Sequence, residues 1–162
     1  MPSPIPYGDN LIAPYRVLDL TDYKGVFCTK IMADYGADVV RIEPPLGDPG
    51  RSKGPFPNDE PGVESSTYFL FYNTNKRSIT LNLETDLGQT IFKRLATKAD
   101  VVVESLAIGY LKSLGLDYES LSGSNPGLVM ASISPFGQTG PWKDLKSSDL
   151  IAMAASGYMQ IT

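Results

Sequence analysis

The reactive side chains of this sequence lack their usual partners. It has no histidine and one cysteine, Cys28. Without histidine, the chain has no base for a Ser-His-Asp triad or a Cys-His dyad, and no His-based metal site. Cys28 lies in an apolar, helix-like context, where packing is expected rather than nucleophilic work. A lone cysteine also excludes an internal disulfide. Glu43 and Glu104 each end a strand-like run. An acid–base pair of carboxylates is defined by its separation, so neither is assigned a role from sequence. The basic tip Asn75-Lys76-Arg77-Ser78 reads either as a solvated turn or as an anion contact. Asp149 opens the last helical segment, where a carboxylate suits the positive helix end.

These groups must be held by elements of two periodicities. Short apolar runs at residues 15–20, 37–43, 79–83, 100–104 and 127–134 read as strands. Between them lie helical segments. Phe27, Ile31 and Tyr35 recur at helical spacing, and Gly36 is placed to cap that helix. Thr85 is a candidate N-cap for a helix with Leu87, Ile91, Leu95 and Ala99 as its buried stripe. Residues 108–114 and 118–121 read as short helices, and 150–159 as a final one. The aromatics Tyr68, Phe69, Phe71 and Tyr72 are too dense for one face and are expected to divide between core and interface. Residues 46–66, rich in proline, glycine and charge, are too long for a simple connection and are expected to cover a site. Strands alternating with helices predict βαβ units. The fold class is therefore α/β: a Rossmann-like open, mainly parallel sheet with flanking helices. Residues 1–14, with four prolines, form an irregular arm, and residues 15–162 form the domain. Ligands of such sheets bind beyond the C-terminal strand ends.

Composition narrows the ligand. The formal net charge is −4, which disfavours nucleic acid. Any anionic ligand must meet a local cluster of lysine and arginine. The start MPSPIPYGDN lacks the basic and apolar regions of a secretory signal, and no apolar run is long enough to span a membrane. The expected setting is cytoplasmic. Neither the dinucleotide-binding glycine pattern nor the P-loop pattern is present, which argues against NAD and against a Walker-type ATP site.

Several segments in order resemble the family III CoA-transferases, which include formyl-CoA and carnitine CoA-transferases. They are RVLDLTDYKGVFCTKIMADYGADVVRIEPPLGDPGR, FLFYNTNKRSITLNLET, LATKADVVVES, YLKSLGLDYESLSGSNPGLVMASISPFGQTGP and SDLIAMAASGYM. NKRSITLNL followed by SISPFGQTGP is the most telling combination. The resemblance implies a CoA-binding domain, with CoA or acyl-CoA as substrate and neither metal nor NAD. Lys24 and Gly25 fall in the turn after the first strand, which touches CoA in the family. Leu81 and Leu83 fall on the adenine side, next to the basic residue Arg77. Ser105 falls where the family often has asparagine, and Lys112 lies beside a family arginine position. Lys146 falls near a CoA-contacting lysine, and Asp149 on an acidic position bordering the active site. The related racemases carry a histidine where this chain has Ser148, so that branch is disfavoured.

The family moves CoA between carboxylic acids through a mixed anhydride and an enzyme-aspartyl-CoA thioester. By resemblance, the nucleophilic aspartate lies beyond Thr162, so these residues are expected to supply the CoA-binding N-terminal part of a C-terminally incomplete domain. The expected partners are an acyl-CoA, a carboxylic acid, and a homodimer mate or second chain that completes the site. The alternatives are a non-catalytic CoA-binding subunit of a two-chain transferase and an inactive product.

Overall fold

In a computed structural model that describes residues 11–161, five parallel strands form one open sheet in the order β3-β2-β1-β4-β5. The strands are β1 (Arg16–Leu20), β2 (Asp38–Glu43), β3 (Arg77–Thr80), β4 (Val101–Glu104) and β5 (Val129–Ser132). Every neighbouring pair is parallel, with Leu18 facing Val40 on one side and Val102 on the other. The order reverses between β1 and β4. At such a switch point the two adjacent connections leave toward opposite faces and open a crevice at the strands' C-terminal ends.

The strand sequences explain why β1, β2 and β4 are central. All six residues of β2 are buried, and Val102, Val103 and Glu104 of β4 are as well. Continuous burial requires cover on both faces. On one face α3 (Asp86–Ala96), α4 (Tyr110–Ser113) and α5 (Tyr118–Ser122) pack over Leu18, Leu20, Val40, Ile42 and Val102, with Phe92, Leu116 and Leu121 filling the layer. On the other face, α1 (Val26–Asp34) and the segment after it set Ala33 and Ala37 against Val17, Val39 and Val103. Two terminal signals work as expected. Thr85 caps α3 by accepting the Gly88 N–H at 3.1 Å. Gly36, at φ 100°, closes α1 with bonds from Gly36 N–H to Ala33 O and from Ala37 N–H to Met32 O, both 3.0 Å.

Several expectations change. The α1 stripe of Phe27, Ile31 and Tyr35 faces outward, while Val26, Thr29 and Ala33 turn inward. Cys28, expected to be packed, is exposed. The α3 stripe is partly displaced: Gly88, Phe92 and Ala96 are buried and Leu87 is exposed, while Leu95 packs against the core and Ala99, just past the helix, is buried as expected. The aromatic run forms a helix, α2 (Thr67–Asn73), capped by Ser66, which accepts the Phe69 N–H at 3.0 Å. β3 starts two residues early and ends at Thr80, with Leu81 N–H still bonded to Glu43 O at 2.9 Å. The final helix, α6 (Asp149–Ala155), stops before Gly157, whose φ is 78°, and a 3-10 turn (Tyr158–Gln160) follows. Residues 1–10 of the expected arm lie outside the described residues.

Candidate functional site

Leu20, Thr21 and Asp22 at the end of β1, the β2 end with its following loop, and residues Leu81–Glu84 surround a cleft of about 620 Å³ at the C-terminal edge of the sheet. Leu81 and Leu83 line its apolar wall, and Tyr110 of α4 and Leu106 close one side. The loop after β2 forms the opposite wall with Pro44–Pro49, so of the residues 46–66 expected to cover a site, Leu46–Pro49 line this cleft. That loop is held by a two-toothed ion pair. Arg51 donates from Nε and Nη2 to the two Glu43 oxygens at 2.7 and 2.8 Å, and its guanidinium lies 3.8 Å from the Phe69 ring centroid. Glu43 also accepts the Asp48 N–H at 2.9 Å and the Ser78 hydroxyl. The Arg51 bonds outweigh burial and bring the Glu43 carboxyl down to about 2. Glu43 thus anchors the loop through Arg51. Glu104 is likewise buried and accepts the Leu106 N–H at 2.7 Å.

Beneath the β1–α1 turn lies a buried ionic cluster that the sequence does not announce. Asp19 is fully buried in the sheet. Its Oδ1 accepts from Thr21 N (2.9 Å), Thr21 Oγ1 (2.7 Å) and Arg41 Nη1 (2.9 Å). Its Oδ2 accepts from Thr29 Oγ1 (2.7 Å) and Lys76 Nζ (2.9 Å). Arg41 reaches on to Asp48 in the loop. Burial pushes the Asp19 carboxyl up, but Arg41, Lys76 and the Thr21 hydroxyl more than offset it, leaving it below the usual range. Burial pulls the Lys76 ammonium down, and Asp19 opposes that shift. Nζ of Lys76 also has Thr29 Oγ1, Asn73 Oδ1 and Val26 O within 3.3 Å, acceptors that suit an ammonium. The cluster therefore ties β1, α1, β2, the covering loop and the α2–β3 link together at the tips that form the cleft.

The predicted site residues divide into two groups. Leu81 and Leu83 line the large cleft. Lys24 and Lys146 line a second, more open recess of about 450 Å³, with Tyr23, Lys143 and Ser134. Lys24 pairs with Asp22 and lies 5.1 Å from the Tyr23 ring centroid. Gly25 is buried, and a Cβ there would meet Thr21 Cγ2 at 2.8 Å and Ile133 Cδ1 at 2.9 Å, so the close turn needs glycine. Ser105 is fully buried, and its hydroxyl joins β4 to the turn by accepting Asp22 N–H and donating to Asp22 Oδ1, both at 2.7 Å. It positions the turn and has no surface to offer a ligand. Lys112 is exposed on α4, two residues beyond the cleft residue Tyr110. Arg77 does not join the others. It opens β3 and bonds Asp38 at the opening of β2, at the opposite end of the strands from the cleft. Asp149 is an exposed first residue of α6, and the α6 cap is Ser148. Among the described residues, no helix is long and apolar enough to cross a membrane.

The family described as CoA-transferase family III matches residues 12–162. The succinyl-CoA:(R)-benzylsuccinate CoA-transferase subunit BbsE of Thauera aromatica is 44% identical over 145 residues, 90% of this chain and 35% of that protein. The formyl-CoA:oxalate CoA-transferase of Streptomyces avermitilis is 40% identical over 148 residues, 91% of this chain and 35% of that protein. The crystal structure of a CAIB/BAIF family protein from Brucella suis superposes with a TM-score of 0.84 at 38% identity, over 92% of this chain and 40% of that one. The chain thus spans little more than a third of the curated relatives it matches.

Proposed function

The chain belongs to CoA-transferase family III, and from that premise we propose that residues 15–162 are a CoA-binding domain serving transfer of CoA between carboxylic acids. One observation carries the reading: the cleft beyond the C-terminal ends of β1, β2 and β3 has an apolar wall, Leu81 and Leu83, and meets at Leu106 a recess that gathers Lys24, Lys143 and Lys146. CoA has an adenine that favours apolar walls and phosphates that favour cations. Local lysines are what an acidic chain needs to hold such an anion.

In this proposal the chain holds the acyl-CoA, and the aspartate that attacks the thioester comes from outside these residues, either from the same protein or from a partner. The oxygen of that carboxylate would displace the CoA sulfur, which leaves as thiolate and then attacks the aspartyl carbonyl of the anhydride, giving the enzyme-bound thioester and releasing the donor acid as its carboxylate. A homodimer mate or second chain belongs to the same proposal. The outward stripe of Phe27, Ile31 and Tyr35, continued by Leu70 and Phe71 of α2, supports an interface there. A cytoplasmic setting is part of the proposal too.

Calorimetric titration with CoA and with NAD tests the reading. The expected result is micromolar binding of CoA and none of NAD. The double variant Lys24→Ala with Lys146→Ala should bind CoA severalfold more weakly at low salt, with the gap closing as salt rises. Absence of CoA binding by the folded chain would overturn the proposal.

A further inference from the structure

The recess beside the cleft gathers Lys24, Lys143 and Lys146, and they are held to different degrees. Lys143 and Lys146 are exposed, and the contact from Lys143 to Asp144, at 3.9 Å, is loose. The Lys24 side chain is 27% exposed, and its ammonium meets the Asp22 carboxylate at Oδ2. An ion pair near the surface holds weakly when both partners are flexible. Here the carboxylate end is fixed. Asp22 N–H donates to Ser105 Oγ, and the Ser105 hydroxyl donates to Asp22 Oδ1, both at 2.7 Å. The same carboxylate oxygen accepts the Lys24 N–H at 2.9 Å. The Asp22 carbonyl accepts the N–H groups of Gly25 and Val26 at 3.0 and 2.9 Å, where α1 begins.

Ser105 is fully buried just past the end of β4, and its hydroxyl is engaged both as donor and as acceptor. A chain of contacts therefore runs from the sheet through Ser105 and Asp22 to the Lys24 ammonium at the recess. Burial raises the Asp22 carboxyl, and the bonds from Lys24 and Ser105 more than offset it, so the group is anionic at neutral pH. An ammonium has three N–H groups. Asp22 takes one of them, and among the described residues no second acceptor engages the others. We propose that Ser105 and Asp22 are positioning residues, which aim the Lys24 ammonium at a phosphate oxygen of the ligand in this recess. The inference rests on the reading that the recess holds the phosphates of CoA. A charge-assisted bond gains most when its donor is in place before the ligand arrives, and a relay anchored in the sheet leaves one flexible side chain to be ordered.

Calorimetric titration with CoA reads the relay through a double-mutant cycle. Lys24→Ala should weaken CoA about fivefold, as the loss of one hydrogen bond does, and Ser105→Ala about threefold, because Lys24 is loosened but kept. In the Lys24→Ala background, Ser105→Ala should add nothing. Asp22→Asn keeps the shape and an acceptor for Ser105 but releases the ammonium, so it should weaken CoA only when Lys24 is present. Thermal melts followed by circular dichroism report which variants are folded, and the Asp22→Asn arm carries the test should Ser105→Ala unfold. A Ser105→Ala loss of the same size in both backgrounds, or no loss in either, would mean that Ser105 supports the fold and does not act through Lys24. Unchanged or tighter CoA binding by Asp22→Asn would mean that Asp22 does not place Lys24 for the ligand. Each of these outcomes overturns the proposal while leaving the CoA reading intact. Failure of the wild type to bind CoA would overturn the CoA reading, and the positioning with it.

Discussion

The two faces of the β1–β2 pair are built on opposite principles. On one face Leu18, Leu20, Val40 and Ile42 enter a continuous apolar core with Phe92 and Leu116. On the other, Val17 and Val39 give way along the same strands to Asp19, Arg41 and Glu43, all buried. The first face is adaptable, because apolar contacts are non-directional and tolerate repacking. The second is directional, because each charge is worth keeping only with its partner in place. The directional face lies under the tips that line the cleft, and there it fixes the turn and loop positions that a ligand would meet. Stability is spread over the apolar face, and geometry is concentrated in the ionic one.

The largest expected effect breaks the ionic face at its centre. Asp19→Asn keeps the shape but leaves Arg41 and Lys76 buried with Asp48 as their remaining nearby counter-ion. Removing one partner of a buried ion pair costs about 3–5 kcal/mol, and urea unfolding should show a loss of that size. A loss below about 1 kcal/mol, the range of surface pairs, would mean that this face is not directional after all.

Glu43 gives a smaller and graded effect. Its carboxyl, ordinarily near 4.5, is held at about 2 in the folded chain, chiefly by Arg51. A depressed folded value means that the stabilisation is fully present above 4.5 and is lost as pH falls toward about 2. In urea titrations at a series of pH values, wild type should exceed Glu43→Gln by a constant margin above 4.5, and the margin should shrink through that window. A margin that stays constant down to pH 2 would detach Glu43 from the loop clamp.

The sequence discloses the apolar face well and the ionic face poorly. β-branched runs such as DVVVE have one sensible fate, and the parallel α/β sheet follows from their alternation with helices. The candidate cleft was legible in Leu81, Leu83 and the covering loop, because strand ends and long loops point to sites without any contact being known. The burial of Lys76 was not legible, since a lysine beside an arginine in a turn reads as solvated or as an anion contact, and its burial comes from Asp19, 57 residues earlier. Arg41 and Asp19 share that difficulty, as each is a charge within an apolar strand whose partner comes from elsewhere in the chain. The outward turn of Phe27, Ile31 and Tyr35 shows a second limit. Helical spacing identifies a stripe but not which side of the helix the sheet will cover, and here Thr29 and Ala33 lie closer to β1 and its polar cluster.

Arg77 offers the smallest expected effect and the sharpest contrast with its neighbour. Lys76 and Arg77 are adjacent, yet the Lys76 side chain is 1% exposed and that of Arg77 is 64% exposed. Lys76 belongs to the directional face, whereas Arg77 bonds Asp38 near the N-terminal end of the strands. That carboxylate also receives Arg16 Nε at 2.7 Å, so it keeps a partner when Arg77 is removed. Arg77→Ala should therefore cost less than about 1 kcal/mol of stability, as exposed pairs do. It should also leave CoA affinity at the wild-type value, since the strands separate this pair from the cleft and salt screens exposed charges over such distances. A clear loss of CoA affinity would mean that the ligand extends to the opposite strand ends, and that the division between a structural and a binding end of this sheet has been drawn in the wrong place.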